Sequence, residues 1–241
     1  MLYLIGLGLE NDDLSGKALK AMMECSSLYL DSYTSIGINY EELAAKIKKP
    51  IIPVERNFLE EKTEFILGDA KYEDIAILVQ GDCLSATTHL ALLLECKKHN
   101  VKYKIINGIS ILTAISQTGL SPYNFGKTTS IPFELKNLKA PYQALKDNQS
   151  KNLHTLCLLD LDPRNNKFLS IPDAIIYLLR QGMENKLCIA CSQLGTNKQI
   201  IKAGLARELI KEKFPNYPQC LIIPGKLHFT EEEFLEQFKI K

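Results

Sequence analysis

Two glycine-containing loops follow apolar segments and are the first candidates for binding a ligand. The loop at residues 6–9, GLGL, follows the run 2–5, and the loop at residues 81–85, GDCLS, follows the run 75–80. In open α/β sheets, ligands bind outside the carboxyl ends of strands, where the strand order reverses. Glycine lets the backbone approach a bound molecule closely, and Asp82 adds a carboxylate. The sequence therefore predicts a ligand site built from these two loops.

The first loop resembles part of a dinucleotide-binding motif but lacks the third glycine of that motif. Asn11 stands at this position, among Glu10, Asp12 and Asp13. Three carboxylates at a helix N-terminus repel a pyrophosphate, so a nicotinamide dinucleotide is disfavoured, and Asp31 is interpreted as an ordinary strand-end carboxylate. A ligand with a positive charge and a sugar, but without phosphate, suits such loops better. S-adenosylmethionine is one candidate of this kind.

Residues capable of metal-binding or nucleophilic chemistry do not form a recognisable site. Cys188 and Cys191 have the spacing of a metal or redox motif, but they fall in a predicted strand, where residues three apart point to opposite faces. The histidines at positions 89, 99, 154 and 228 match no metal-binding spacing and no Ser-His-Asp or Cys-His arrangement. The sequence thus predicts no metal site, and it supports no assignment of a catalytic residue.

The elements that must position these loops alternate between strand and helix in the first half of the chain. Apolar runs are separated by stretches with helical periodicity, and the runs are at residues 2–8, 28–31, 51–54, 75–80 and 101–108. Continuous apolar strands separated by helices are typical of a parallel sheet covered on both faces. Residues 1–110 are therefore predicted to form a doubly wound, mostly parallel α/β lobe.

The pattern changes in the second half of the chain. A helix is predicted at residues 109–120, and strands at 128–135, 154–161, 187–194 and 219–225 are joined by longer and more polar connections. This pattern favours a second α/β lobe with a mixed sheet at residues 111–241. No Gly/Ser-rich linker separates the lobes, so we expect a tight junction.

Composition restricts the class of protein. The 241 residues include 29 Lys and Arg and 28 Asp and Glu, and the net charge of +1 gives no global argument for binding nucleic acid or an anionic membrane. Seven cysteines without scaffold spacing favour a reducing compartment. The first residues lack the basic region of a signal peptide, and no apolar run approaches the roughly 20 residues of a spanning helix. We expect a cytoplasmic protein without direct contact with nucleic acid or membrane.

Several long motifs together resemble the diphthine synthases. The motifs are MLYLIGLGL at 1–9, YTS at 33–35, GDCLSATTH at 81–89, the segment 107–133, HTLCLLDLD at 154–162 and LIIPGKLH at 221–228. They occur in the family's order and cover nearly the whole chain. The resemblance implies a two-lobed tetrapyrrole-methylase fold, a homodimer, and S-adenosylmethionine bound in the cleft between the lobes, with S-adenosylhomocysteine as product.

The resemblance also implies a reaction and a partner. Diphthine synthases repeatedly methylate the amino group of a 3-carboxy-3-aminopropyl-histidine in translation elongation factor 2, giving diphthine in diphthamide biosynthesis. Some members add a further methyl group as an ester. The sulfonium already activates the methyl group, so such an enzyme needs chiefly alignment and the exclusion of water. The lack of a catalytic constellation agrees with this chemistry.

Carried over residue by residue, the family's cofactor contacts imply eight positions in this sequence. They are Leu9, Asp82, Ser85, Ser110, Ile111, Leu161, Ala203 and His228. Ala203 is the loosest match, because the spacing from Leu161 slips by one residue. Ser85 is also interpreted as the N-cap of the following helix, with Thr87 and Thr88 in its first turn.

Two departures from the family and two other functions stay open. Cys83 replaces a usual proline, which loosens the loop and places a thiol near the methyl donor, and Glu10 replaces a small or polar residue. These departures alone suggest a non-catalytic protein that binds S-adenosylmethionine. A tetrapyrrole methyltransferase on the same fold would have a first loop rich in glycine and proline, which residues 6–13 lack. The lysine-rich segments 97–104 and 136–152 could meet an acidic partner, although charge runs usually form solvated surfaces.

Overall fold

The computed structural model describes residues 1–32, 37–55, 58–59, 62–85, 89–134 and 138–240. These residues form two compact units, Met1–Leu112 and Thr113–Lys241. Each unit contains a five-stranded sheet and its own hydrophobic core. The chain thus divides its apolar residues between two sheets and does not build one large core.

The sheet of the first unit consists of five parallel strands. They are β1 Leu2–Gly6, β2 Ser27–Asp31, β3 Ile52–Val54, β4 Ile75–Val79 and β5 Tyr103–Ile106. The strand order is β3-β2-β4-β1-β5. Every residue of β1 and β4 is buried, as expected for central strands that are covered on both faces. The predicted doubly wound parallel lobe is confirmed.

Helices cover both faces of this sheet. They are α1 Gly16–Glu24, α2 Tyr40–Ile47, α3 Thr63–Ala70 and α4 Leu90–Lys98. Ile5 of β1 packs in one cluster with Met22 of α1, whereas its neighbour Leu4 packs in the other cluster with Leu67 of α3. The chain leaves β1 towards one face and leaves the neighbouring strand β4 towards the other. The point where the strand order reverses therefore lies between β1 and β4.

The second unit contains a mixed sheet and a small hairpin. Its strands are β6 Thr129–Ile131, β7 Thr155–Leu159, β8 Leu161–Asp162, β9 Lys167–Phe168, β10 Leu187–Ser192, β11 Ile200–Leu205 and β12 Gln219–Ile223. The order in the main sheet is β11-β10-β12-β7-β6. Only the β6–β7 pair of that sheet is parallel, while β8 and β9 form the hairpin. The predicted mixed sheet is confirmed.

The helices from residue 111 onwards are α5 Ile111–Ala114, α6 Ala140–Gln149, α7 Ile171–Arg180, α8 Ala206–Leu209 and α9 Phe229–Leu235. Of these, α5 starts in the first unit, and the others belong to the second unit. The helix predicted at 109–120 is realised as α5 followed by a 3-10 turn that ends at Gly119. Along α7, Ile171, Ala174, Ile175 and Leu178 are buried, and this spacing of three and four residues places them on one face against the sheet.

All seven cysteines are buried free thiols. Cys188 and Cys191 both lie on β10, where Cys188 packs in the main core and Cys191 lies opposite Cys220 of β12. Burial raises the pKa of Cys188 to about 12, so its thiol is neutral. Across the described ranges, no cluster of three potential metal ligands occurs, and no helix has the length and hydropathy needed to cross a membrane.

Asn148 should contribute strongly to stability, because it fastens α6 to the loop before β6. Its buried amide accepts from the Lys127 N–H at 2.9 Å and donates to the Lys127 carbonyl at 2.9 Å and to Thr155 Oγ1 at 3.0 Å. Asn148→Ala leaves these groups without their partner, so we expect the free energy of unfolding to fall by about 2–4 kcal/mol in urea titrations. The control Gln143→Ala removes an exposed hydrogen bond to Asp147 and should cost about 0.5 kcal/mol or less. Equal losses in the two variants would contradict this role.

Candidate functional site

The loops that follow β1 and β4 pair directly with each other. The Gly8 N–H donates to the Gly81 carbonyl at 3.1 Å, and the Gly81 N–H donates to the Gly8 carbonyl at 2.7 Å. Both glycines have positive φ angles, 85° and 78°, which residues with a Cβ atom adopt only at a cost. The reversal point of the sheet is thus closed by a backbone bridge that needs glycine on both sides.

The loop after β5 packs against the same bridge. A Cβ atom added to Gly108 would lie 2.3 Å from the Gly81 carbonyl oxygen, and one added to Gly6 would lie 2.5 Å from the Gly108 nitrogen. Both distances are shorter than any van der Waals contact. From the sequence, Gly6 is expected to let a ligand approach the backbone closely, but its missing side chain makes room for the loop after β5, because three parallel strand ends meet here.

Asp82 connects the loops that follow β4 and β5. Its Oδ1 accepts from the Leu84 N–H at 2.9 Å and from the Ser85 hydroxyl at 3.0 Å. Its Oδ2 accepts from Asn107 Nδ2 at 2.9 Å and from the Gly108 N–H at 3.3 Å. Burial raises the pKa of this carboxyl, but the hydrogen bonds outweigh burial and hold the pKa below its ordinary value. A carboxylate accepts about four hydrogen bonds, so the protein itself fills the capacity of Asp82.

Cys83 lies in the core and not in the loop surface. Its side chain is fully buried, with Sγ 3.6 Å from the Leu4 carbonyl oxygen and 3.7 Å from the Ile106 carbonyl oxygen. Burial raises the pKa of the thiol to about 11. The sulfur is therefore a neutral, buried group directed at the backbones of β1 and β5, and a position near the methyl donor stays a prediction.

Ser85 serves the loop and not the helix that follows. Its hydroxyl donates to Asp82, whereas α4 begins at Leu90 with His89 at the N-cap position. The interpretation of Ser85 as an N-cap is therefore wrong. The Asp82 carboxylate lies three residues before Ser85 and accepts the hydrogen bond of this hydroxyl. Thr87 and Thr88, like the YTS motif at 33–35, lie outside the described residues.

The acidic residues after β1 hold the backbone of their own loop. Asp13 Oδ2 accepts from the Leu9 N–H at 2.8 Å and from the Glu10 N–H at 3.2 Å. On the other side, Gln80 Nε2 donates to the Leu9 carbonyl at 3.4 Å, and Gln80 Oε1 accepts from the Gly37 N–H at 3.1 Å. Both peptide groups of Leu9 are thereby fixed, while its side chain stays half-buried.

Five of the eight positions implied by the resemblance lie on these three loops. Ser110 is buried, and its Oγ accepts from the Leu112 N–H at 3.1 Å. Because β1, β4 and β5 are parallel neighbours, their carboxyl ends share one edge of the sheet. The structure brings together at this edge Leu9, Asp82, Ser85, Ser110 and Ile111.

The same edge carries no cationic side chain from its own loops. Residues 7–16, 80–96 and 105–112 contain neither lysine nor arginine, whereas the first loop and the β4 loop contain carboxylates. Sites for phosphate groups usually contain lysine or arginine, and these loops contain neither. A ligand that carries positive charge fits this edge, because no like charge opposes it.

The three remaining positions are spread over the second unit. Leu161 opens β8 after the end of β7, Ala203 lies within β11, and His228 is the N-cap residue of α9. Because β7 and β12 are antiparallel, Leu161 and the segment 224–228 follow opposite ends of this strand pair. Ala203 is buried, and its carbonyl accepts from the Ile240 N–H at 3.0 Å. The structure does not gather these three residues at one edge, as it gathers the other five.

Comparison with known proteins assigns the chain to a family. Residues 1–210 match the family described as Tetrapyrrole (Corrin/Porphyrin) Methylases. The diphthine synthase of Methanosphaera stadtmanae is 36% identical, over 98% of this chain and 94% of its own. A crystal structure of diphthine synthase matches with a TM-score of 0.91 at 32% identity, over 99% of this chain and 95% of the other. The chain belongs to the diphthine synthase family.

Family membership confirms the resemblance and the fold class. The diphthine synthases are methyltransferases, so the chain is an enzyme of this class. A relative from Arabidopsis thaliana, 34% identical over 100% of this chain and 99% of its own, is named "Probable diphthine methyl ester synthase". The family therefore includes names for both the amine product and an ester product.

Two buried pairs in this diphthine synthase family member were not predicted from sequence. His89 Nε2 lies 3.0 Å from Asp31 Oδ2, with both side chains almost fully buried. This pair links the end of β2 to the end of the GDCLSATTH motif, so Asp31 is more than an ordinary strand-end carboxylate. The position of His89 at the last residue of a family motif was the available signal. The partner could not be read from the sequence, because the two residues are far apart along the chain.

The second pair, His154 and Glu231, holds the segment 224–228. Glu231 accepts from the Ser121 N–H at 2.8 Å and from the His228 N–H at 2.9 Å, and its Oε1 lies 3.4 Å from His154 Nε2. Burial raises the pKa of Glu231, but these N–H donors and His154 outweigh burial and hold the pKa below its ordinary value. The Gly225 N–H donates to His154 Nδ1 at 3.0 Å, so the proton of the neutral ring is on Nε2, facing Glu231.

The close contact between the three loops predicts that one added methyl group, at Gly108, strongly destabilises the protein. Gly108→Ala places a Cβ atom against the Gly81 carbonyl, and we expect the free energy of unfolding to fall by about 3 kcal/mol. The control Gly68→Ala lies in α3, where an added Cβ atom meets nothing within 4 Å, and it should stabilise by about 0.5–1 kcal/mol. Urea titration of both variants measures these opposite signs. Tolerance of alanine at position 108 would refute the packing.

The ionised state of Asp82 predicts a pH-dependent stability difference. Asp82→Asn turns one oxygen into an amide group that faces an N–H donor, so we expect a loss of about 2 kcal/mol at neutral pH. Because the pKa of Asp82 is lowered in the folded protein, this difference is complete above the ordinary carboxyl pKa of about 3.9 and declines as the pH falls further. Unfolding of both proteins between neutral pH and the acid limit tests this. A difference that does not change with pH would rule out an ionised Asp82.

Proposed function

We propose that this chain uses S-adenosylmethionine to methylate, repeatedly, the amino group of a 3-carboxy-3-aminopropyl-histidine in translation elongation factor 2, giving diphthine. Membership of the diphthine synthase family supports the reaction. One observation supports S-adenosylmethionine as the cofactor: the loops at the sheet edge contain no lysine or arginine. These loops are residues 7–16, 80–96 and 105–112. Such an edge does not repel the positively charged sulfonium, and it provides no lysine or arginine side chain to bind a phosphate.

The proposed cofactor contacts are those implied by the family. They are Leu9, Asp82, Ser85, Ser110, Ile111, Leu161, Ala203 and His228. Asp82 already accepts four hydrogen bonds, so we assign its carboxylate to positioning: it fixes the peptide groups of Leu84 and Gly108 that border the cofactor. In the second unit, we assign Glu231 the same positioning role, because its carboxylate accepts a hydrogen bond from the N–H of His228.

S-adenosylmethionine, when bound, supplies a methyl group that the sulfonium charge has already activated, and S-adenosylhomocysteine is left. The protein then has to hold the neutral amine in line with the methyl group and to keep water out. The bridge between Gly8 and Gly81 and the bonds of Gln80 and Asp82 give the loops the rigidity that alignment requires. We assign no catalytic residue and no metal ion, because this displacement needs neither.

The partner, assembly and location are part of the proposal. Elongation factor 2 follows from the product in the names of the relatives, and the homodimer follows from the family resemblance. Seven free thiols, all buried, support a reducing compartment such as the cytoplasm. The balanced charge of the chain supports a protein partner without direct contact with nucleic acid or membrane.

The test is intact-mass spectrometry of elongation factor 2 that carries the aminocarboxypropyl-histidine, after incubation with this protein and S-adenosylmethionine. We expect mass gains in steps of one methyl group, and the plateau counts whether three or four are added. Asp82→Asn should slow the gains by about tenfold or more, whereas Asp69→Asn on the exposed face of α3 should not. Cofactor binding without any mass gain would sink the proposal and favour the tetrapyrrole methyltransferase or the non-catalytic binder.

A further inference from the structure

A cavity of about 420 Å³ opens in the second unit, where β12 ends and β10 begins. Its walls include Gln149 and Asn152 at the end of α6, Lys186 before β10, the segment 224–227 and Glu232 of α9. The volume falls within the roughly 300–1,000 Å³ that is usual for ligand pockets. None of the eight proposed cofactor contacts lines this cavity.

The wall formed by residues 224–227 is held in place by specific contacts. A Cβ atom added to Gly225 would lie 2.4 Å from the Asn152 carbonyl oxygen, so only glycine allows this approach. The Lys226 N–H donates to the same oxygen at 3.3 Å, and the Gly225 N–H donates to His154. The wall 224–227 is therefore fixed against the segment that follows α6, and this side of the cavity has a defined position.

The cavity contains hydrogen-bond donors that the protein does not use. Gln149 Nε2 is buried and has no hydrogen-bond partner among the described residues. Lys186 and Lys226 likewise form no ion pair within the part of the chain that the structure describes. A buried amide donor without a partner costs free energy, and an anionic oxygen in the cavity would recover this cost once the Gln149 side chain turned its enclosed Nε2 towards the ligand. The unused groups therefore match a carboxylate.

Glu232 restricts the kind of anion that fits. Its carboxylate shares the cavity with the two lysines and repels a bare anion such as phosphate. A peptide offers both signs of polarity, because its acidic side chain accepts hydrogen bonds while its backbone N–H groups donate them. Lys146 and Lys151 on and after α6 are exposed and extend the positive charge beyond the cavity. This arrangement suits an acidic peptide better than a free anion.

We propose that this cavity docks an acidic segment of the protein substrate. A carboxylate side chain lies against Lys186, Lys226 and Gln149, and a peptide N–H faces Glu232. The wall 224–227 runs directly into His228, so docking here brings the partner next to a proposed cofactor contact. The substrate part of this inference rests on the proposed function, whereas the preference for a peptide carboxylate does not.

A peptide titration tests the ligand class without any methyl transfer. Adding acetyl-Glu-Glu-Glu-amide to the isotope-labelled full chain should shift the NMR signals of the Gln149 side chain and the Lys226 backbone. The matched peptide acetyl-Gln-Gln-Gln-amide should shift neither signal. Shifts of equal size with inorganic phosphate, or the absence of shifts with the acidic peptide, would overturn the proposal.

Steady-state kinetics test the link to the substrate. The double variant Lys186→Glu/Lys226→Glu should raise KM for elongation factor 2 about tenfold, with kcat and the Kd for S-adenosylmethionine unchanged. Lys213→Glu, an exposed reversal elsewhere in the unit, should behave as the wild type. Peptide shifts with an unchanged KM would exclude substrate docking. If the wild type transfers no methyl group, the proposed function fails. The docking site is then tested by comparing the direct binding of elongation factor 2 to the wild type and to the double variant.

Discussion

The two hydrogen bonds between Gly8 and Gly81 are the contact on which the candidate site depends. They join the loops after β1 and β4, the neighbouring strands whose helices leave to opposite faces. An open switch point is normally a crevice. Here the crevice is closed at its base by backbone, and Gly108 closes against the same carbonyl. The protein's own hydrogen bonds therefore fix the peptide groups of Leu9 and Gly108 beside this bridge.

Two buried carboxylates organise the loops that the glycines bring together and the loops of the second sheet. Asp82 is surrounded by donors from two loops, and Glu231 by donors from Ser121, His154 and His228. A buried charge is destabilising unless hydrogen bonds compensate it, and in both cases the donors are strong enough to keep the pKa below its ordinary value. The ionised Asp82 also leaves a fixed negative charge at an edge whose loops carry no cation. The group that stabilises the loops thus also supplies the negative charge that the proposed sulfonium cofactor would meet.

The sequence was sufficient for features that depend on periodicity and insufficient for those that depend on partners. Continuous apolar runs located β1, β4 and β5, and the segments after these three strands held five of the implied contacts at one edge. Periodicity reports burial but does not report what a buried polar group meets. Periodicity therefore led to the prediction that Ser85 caps a helix, whereas its hydroxyl donates a hydrogen bond to Asp82. His154 and Glu231, 77 residues apart, had no local signal that would join them.

The use of polar groups differs between the candidate cofactor site and the cavity of the second unit. At the sheet edge, Asp82 and Gln80 form hydrogen bonds with the protein's own loops. Loops held in this way suit the proposed methyl transfer, which depends on alignment. Beside the cavity, the buried Gln149 Nε2 has no partner among the described residues, although the wall 224–227 is fixed at Gly225. A buried donor without a hydrogen-bond partner lowers the stability of the free protein. The same donor is available to a binding partner. The first arrangement agrees with the proposed methyl transfer without a catalytic side chain, and the second agrees with the proposed docking of a protein substrate by its charge.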